Sequence, residues 1–117
     1  MTMHDHGSFV VKVESRDGSV IVAPQGDVDL ACSPDLRYEL QQAAQQKPKR
    51  LIVDLAGVPY MDSSGVATLL EALQRAQATG SSLVLCSMPE KVRAIFQIAR
   101  LEMVFHIVEN VEAALAD

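Results

Sequence analysis

The segment RLIVDLAGVPYMDSSGVATLLEAL, residues 50–73, contains a strand, a loop and a helix, and it decides the fold class. Its first six residues form a short, largely apolar run, which is typical of a strand covered on both faces. A helix should begin after Asp62 and end near Gly80, where a glycine favours helix termination. The apolar residues of this helix recur at the spacing i, i+3, i+4, i+7: Val66, Leu69, Leu70 and Leu73.

The same alternation of strands and helices extends in both directions from this segment. Asp17-Gly18 is a favoured hairpin turn between two runs rich in Val and Ile, so the two strands beside it should be antiparallel. Ser33, as a cap, and Pro34, at the first helical position, begin the next helix. The predicted strands cover 9–13, 19–26, 50–55, 81–87 and 103–108, and the other helices cover 33–46, 89–100 and a short segment after Asn110.

This order of elements predicts one α/β domain. We expect a mixed, mostly parallel β-sheet with an antiparallel N-terminal hairpin and about four helices. The domain should occupy residues 9–117, preceded by a flexible N-terminal tail over residues 1–8. The chain has 117 residues, of which 49% are hydrophobic, so it can build a core without disulfides or a structural metal.

Composition and charge also exclude some classes of binding partner. The net charge is -5 and the ten basic residues form no block, which argues against nucleic-acid binding. Neither a signal-peptide pattern nor a membrane-spanning apolar run is present, so we expect a cytoplasmic protein that does not bind membranes. Cys32 and Cys86 lack metal-ligand spacing and should be free thiols in a reducing compartment.

Three loops that follow strands carry most of the polar residues of interest. These loops are residues 26–33, 58–65 and 86–90. Because strand-to-helix loops of a parallel sheet all lie at its carboxyl edge, they should share one edge of the molecule. The carboxylates of the first loop should then lie near the polar residues of the second. The first set is Asp27 and Asp29, and the second is Asp62, Ser63 and Ser64.

The paired serines allow more than one interpretation. In the first, Asp62, Ser63 and Ser64 are ordinary helix-start residues, because their oxygens can accept hydrogen bonds from unpaired N–H groups of the first turn. A hydrolase is disfavoured, since Met61 replaces the first glycine of the G-x-S-x-G motif and His106 lies in a predicted strand. The P-loop pattern is absent as well.

A phosphate acceptor is the interpretation that agrees best with this position. The N-terminus of a helix presents N–H donors and the positive end of the helix dipole, both of which favour a phosphate. The added charge would therefore be tolerated within the fold. It would act at a binding surface instead, where about -1.5 to -2 charges repel nearby acids and resist desolvation.

The motifs YMDSSG, residues 60–65, and QGDVDLACSPDLR, residues 25–37, together resemble those of the STAS-domain anti-sigma factor antagonists of bacteria. The resemblance covers the chain from about Phe9 to Leu115. It implies that these proteins are not enzymes and use no cofactor. It further implies a partner that is an anti-sigma factor and also a serine kinase holding ATP. A phosphatase would restore the unphosphorylated state, which binds the anti-sigma factor and releases the sigma factor.

The resemblance also implies roles for individual residues. Ser63 corresponds to the phosphorylated serine of the family, and Ser64 to a neighbour that is not usually the acceptor. Asp29 corresponds to an acidic residue near the acceptor, with Asp27 in the same loop. Asp62 and Gly65 complete the motif that shapes the start of the helix.

Two features leave alternatives open. The pair His4-x-His6 has no evident further ligand, so we expect no bound metal. The same motifs would also serve a STAS scaffold that binds another switch kinase, or an accessory module of a transporter. The intact DSSG sequence, residues 62–65, argues against the transporter module.

Overall fold

A six-stranded mixed sheet forms the centre of the molecule. The computed structural model describes residues 1–7 and 9–116. Within them the strands are β1 (Thr2–Asp5), β2 (Val10–Arg16), β3 (Ser19–Gln25), β4 (Arg50–Asp54), β5 (Ser82–Cys86) and β6 (His106–Val108). The helices are α1 (Ser33–Gln45), α2 (Ser63–Thr79), α3 (Glu90–Ile98) and α4 (Val111–Ala116), with a 3-10 helix over Leu101–Met103.

The strands lie in the sheet in the order in which they occur in the chain. β1, β2 and β3 pair antiparallel, and β3, β4, β5 and β6 pair parallel. The turn between β2 and β3 uses Asp17 and Gly18, both with positive φ, as a two-residue hairpin requires. The predicted fold class and hairpin are therefore confirmed.

Both faces of the parallel strands are buried. Val20, Val22, Leu51 and Val53 face the larger core, which α1, α2 and α3 cover. The alternate residues, such as Ile52 and Val84, face a smaller core under α4. This double coverage explains why β4 and β5 appear in the sequence as nearly continuous apolar runs.

The N-terminal segment differs from its predicted description as a flexible tail. Residues 2–5 form β1, which pairs with β2 in the register His4↔Val11. The segment TMHD has no apolar alternation, so its sequence carries no strand pattern. Backbone hydrogen bonding to β2 and polar contacts to α1 hold it instead. Ser8, the last residue of the predicted tail, lies outside the described residues.

The region after α3 also differs from the prediction of a strand over residues 103–108. α3 ends before Arg100, which adopts a left-handed conformation with φ of 58°. A 3-10 helix follows, and only His106–Val108 pair with β5. The apolar residues Met103 and Val104 are exposed rather than part of the sheet.

Candidate functional site

The start of α2 is built around the Asp62 side chain. Its carboxylate Oδ1 accepts hydrogen bonds from the N–H of Ser64 at 2.9 Å and the N–H of Gly65 at 3.3 Å. It also accepts from the Ser64 hydroxyl at 2.5 Å. Asp62 is thus the residue that caps the helix, and it satisfies N–H groups that a first turn leaves unpaired.

These contacts also fix the charge of Asp62. The hydrogen bond from the Ser64 hydroxyl, with smaller contributions from the N–H groups of Gly65, Ser64 and Leu30, holds the pKa of the Asp62 carboxyl below its usual value. The carboxylate is therefore ionised at neutral pH. It places a negative charge at the start of α2, next to Ser63.

Ser63 occupies the first helical position and its side chain is exposed. Ser64, in contrast, is only half exposed, and its hydroxyl is engaged by Asp62. Of the two serines, Ser63 is the more exposed to solvent. The sequence alone could not distinguish them in this way.

The loop that carries Asp27 and Asp29 lies against the loop that carries Ser63. The N–H of Val28 donates to the carbonyl of Tyr60 at 2.9 Å, and the N–H of Asp62 donates to the carbonyl of Val28 at 3.1 Å. Val28 and Met61 form a parallel bridge that continues the β3–β4 pairing. The predicted meeting of these two loops at the carboxyl edge is therefore confirmed.

Gly65 permits this close approach. A Cβ atom at Gly65 would lie 2.6 Å from Cγ of Met61 and 2.9 Å from Cγ1 of Val28, which is shorter than real contacts of this kind. Any larger side chain would push α2 away from the first loop. Gly65 thus has a packing role at the junction of both loops.

Asp29 has a structural role of its own. Its carboxylate Oδ1 accepts from the N–H groups of Ala31 at 3.0 Å and Cys32 at 3.1 Å, which orders the turn leading into α1. The helix itself begins at Ser33 after Cys32, and no side chain caps it. The prediction that Ser33 caps this helix is therefore wrong, because the turn formed by Asp29 precedes it. Asp27 is exposed at the start of the loop.

Both cysteines are free thiols, as predicted. Burial first, and then the negative charge of the neighbouring Asp29, raise the pKa of the Cys32 thiol above its usual value. Burial likewise raises the pKa of Cys86 to about 11. Neither thiol is therefore a reactive thiolate at neutral pH.

An apolar groove of about 560 Å³ lies beside Ser63, between α2 and α3. We call this the α2–α3 groove and define it by Tyr60, Ser63, Val66, Leu70 and Ile95. Ile95 is half exposed, and Ala99, which also lines the groove, is exposed. The distance between two helices is set by tertiary packing, so the helical period alone could not reveal this groove.

Further apolar side chains surround the site. Leu30, in the loop with Asp29, is 77% exposed, and Tyr60 is 48% exposed. Exposed apolar groups next to polar ones are typical of surfaces that bind other proteins. The described residues contain no group of three or more histidines, cysteines or acids arranged to hold a metal. The described helices include none that is long and apolar enough to cross a membrane.

Comparison with known proteins places this geometry in a family. The STAS domain family model matches residues 10–114. A candidate anti-sigma factor antagonist of Bordetella bronchiseptica, BtrV, is 30% identical over 89% of this chain and 90% of its own length. The anti-sigma-B factor antagonist of Staphylococcus epidermidis is 28% identical over 87% of this chain and 94% of its own length.

A solved structure supports the fold. The crystal structure of a candidate anti-sigma factor antagonist from Thermotoga maritima superimposes with a TM-score of 0.85, at 17% identity, over 91% of this chain and 92% of that chain. The family model, the curated relatives and the architecture agree. The chain belongs to the STAS domain family, and the relatives that it matches are named as anti-sigma factor antagonists.

Proposed function

We propose that this protein is an anti-sigma factor antagonist whose binding is switched off by phosphorylation of Ser63. The observation that carries the proposal is the exposed hydroxyl of Ser63 at the start of α2, beside the loop of Asp29 and the α2–α3 groove. The names of the relatives support the same role.

The partner in this proposal is an anti-sigma factor that is also a serine kinase. The kinase holds ATP, and its γ-phosphoryl group passes to Oγ of Ser63 as the bond to the β–γ bridging oxygen breaks. ADP leaves, and the hydroxyl proton passes to a base on the kinase or to water. The antagonist supplies the acceptor and the docking surface, so it needs no cofactor and is not itself an enzyme. A phosphatase hydrolyses the phosphoserine and restores the binding form.

The choice of Ser63 over Ser64 follows from their surroundings. Phosphorylating Ser64 would break its 2.5 Å hydrogen bond to Asp62 and bring two negative groups together. Ser63 is exposed, and a phosphate there lies at the positive end of the α2 dipole. The geometry therefore favours transfer to the first serine.

The switch acts on the interface rather than on the fold. A phosphate at a helix N-terminus changes stability by only about 0.3–1 kcal/mol in the favourable direction. At the interface, the same charge would lie next to Asp62, on the loop that pairs with the loop of Asp27 and Asp29, and would lose its hydration on docking. A penalty of about 3 kcal/mol weakens binding more than a hundredfold. The unphosphorylated form is therefore the one that binds.

Labelling by an anti-sigma factor serine kinase that binds this protein tests the proposal. We expect the protein to gain one phosphate from ATP, with fragment mass spectrometry placing it on Ser63. Ser63→Ala should abolish labelling and still bind the kinase, whereas Ser63→Glu should weaken binding. Ser64→Ala is the matched control and should still be labelled. Phosphate on Ser64, or undiminished labelling of Ser63→Ala, would refute the site.

The same experiment addresses the alternative of a transporter accessory, which would bind its partner without phosphorylation. Such a protein would bind its partner equally well before and after incubation with ATP. Binding that does not change with the phosphorylation state would therefore contradict the proposed switch.

A further inference from the structure

A second cavity lies at the opposite end of α2 from Ser63. It encloses about 530 Å³ between α1 and α2, over the start of β4. Leu40 and Leu51 form its buried floor. Alanines occupy the facing positions of the two helices, among them Ala44 and Ala76, and their side chains are too short to fill the space. The volume lies within the range of about 300–1,000 Å³ that is typical of small-molecule sites.

The charged residues at the mouth of this cavity are both basic. Lys47 and Arg75 line it, and no carboxylate lines it among the described residues. Arg75 contacts Glu71, but Glu71 also pairs with Arg37, so this group of three keeps one net positive charge. The C-terminal ends of α1 and α2 carry about half a negative charge each. With the ammonium of Lys47 included, the mouth remains positive on a chain whose net charge is -5.

We propose that this cavity binds a carboxylate amphiphile, a medium-chain fatty acid, with its alkyl chain against Leu40 and Leu51 and its carboxylate at Lys47 and Arg75. The apolar floor would contact the alkyl chain of the ligand, and the basic mouth would bind its carboxylate. The site shares no residue with the α2–α3 groove. The proposed binding of a fatty acid therefore does not depend on phosphorylation at Ser63.

Titration of the isotope-labelled full chain with decanoate, followed by NMR, tests the proposal. We expect shifts of the amides of Ala44, Ala76 and Thr79, while that of Ser63 stays unchanged. Each methylene added from hexanoate to decanoate should strengthen binding by about fourfold, as burial of one methylene predicts. Decanol should bind at least tenfold more weakly, since it lacks the charge.

Three variants distinguish the contribution of the basic mouth from that of the apolar cavity. Lys47→Gln should weaken the binding of decanoate about tenfold and leave the binding of decanol unaffected. Lys91→Gln, at an exposed position of α3, is the matched control. Ala44→Leu, at a half-exposed position, should fill the cavity and abolish binding of both ligands. Thermal melting checks that Ala44→Leu is folded; were it unfolded, the chain-length series and Lys47→Gln would still decide. Shifts elsewhere, equal binding of decanol, or no effect of Lys47→Gln would overturn the proposal.

Discussion

Two carboxylates organise different parts of this molecule by different means. Asp62 caps α2 mainly through its own segment, because Ser64 and Gly65 are two and three residues away in the chain, and the N–H of Leu30 adds a smaller contribution. Glu39, on α1, accepts from His4 at 2.7 Å and from His6 at 2.6 Å, across 35 and 33 residues. The Asp62 cap shapes the surface that we propose to bind a partner. The cluster of Glu39, His4 and His6 holds the edge strand β1 on the fold.

The contrast extends to burial. The side chain of Glu39 is only 3% exposed, whereas those of His4 and His6 are 41% and 18% exposed. A buried carboxylate is stable only when donors satisfy its oxygens, so β1 and Glu39 depend on each other. The start of α2 keeps its cap whether or not a distant element is in place. Loss of Glu39 should therefore affect a distant strand, whereas loss of the Asp62 cap should affect mainly the first turn of α2.

Replacing Glu39 should produce the largest effect. Glu39→Ala removes the acceptor of two hydrogen bonds, and we expect a loss of about 2–3 kcal/mol in the free energy of unfolding. Urea denaturation measures the loss, and hydrogen exchange should show that the amides of β1 become unprotected. The double variant His4→Ala/His6→Ala should release β1 as well, because it strips the donors from Glu39. Unchanged exchange in both variants would mean that the cluster does not hold β1.

Gly65→Ala should be the next largest change, and it probes the packing of the start of α2 against the first loop. The new Cβ would meet Met61 and Val28 at 2.6 and 2.9 Å, and overpacking of this kind costs about 1–3 kcal/mol. The better helix propensity of alanine offsets about 1 kcal/mol of this. Thermal melting should show net destabilisation. Ala67→Gly, at an exposed position of α2, is the reference for helix propensity alone. A more stable Gly65→Ala would show that the two loops separate without penalty.

Asp62→Asn should have a smaller effect that depends on pH. The pKa of Asp62 is lowered in the folded protein, so its ionised form stabilises the fold. That contribution is complete above the unfolded pKa of about 3.9 and is lost as the pH falls through the folded pKa. The difference in stability between wild type and Asp62→Asn should therefore be constant near pH 7 and shrink below about pH 4. A difference that grows on acidification would contradict the assignment.

Glu71→Gln should have the smallest effect of the series. Glu71 pairs with Arg37 at 2.9 Å and Arg75 at 3.2 Å, but all three side chains are more than a third exposed. Exposed pairs contribute about 0.2–1 kcal/mol, and salt screens them. Urea denaturation in low and high salt should show that the loss disappears in high salt. A loss of stability equal to that of Glu39→Ala would mean that burial does not explain the different contributions of Glu39 and Glu71.

Sequence reasoning succeeded where interactions are local or follow from topology. The cap at Asp62 lies within four residues, and the meeting of the two loops follows from parallel strands alone. It failed for β1, because the partner of His4 is 35 residues away and the strand has no apolar alternation. The α2–α3 groove escaped prediction since it depends on how two helices are spaced. The prediction that Ser33 caps α1 failed because the turn ordered by Asp29 precedes the helix and no side chain caps it.

The backbone pairing of Val28 with Tyr60 and Asp62 has a further consequence for recognition. It extends the sheet past the ends of β3 and β4, so the surface around Ser63 is part of a hydrogen-bonded framework and not a pair of loose loops. A partner that docks there meets a shape already formed, and association loses little chain entropy. Substitutions of outward-facing side chains on this framework could then change which partner is chosen without disturbing the platform that presents the serine.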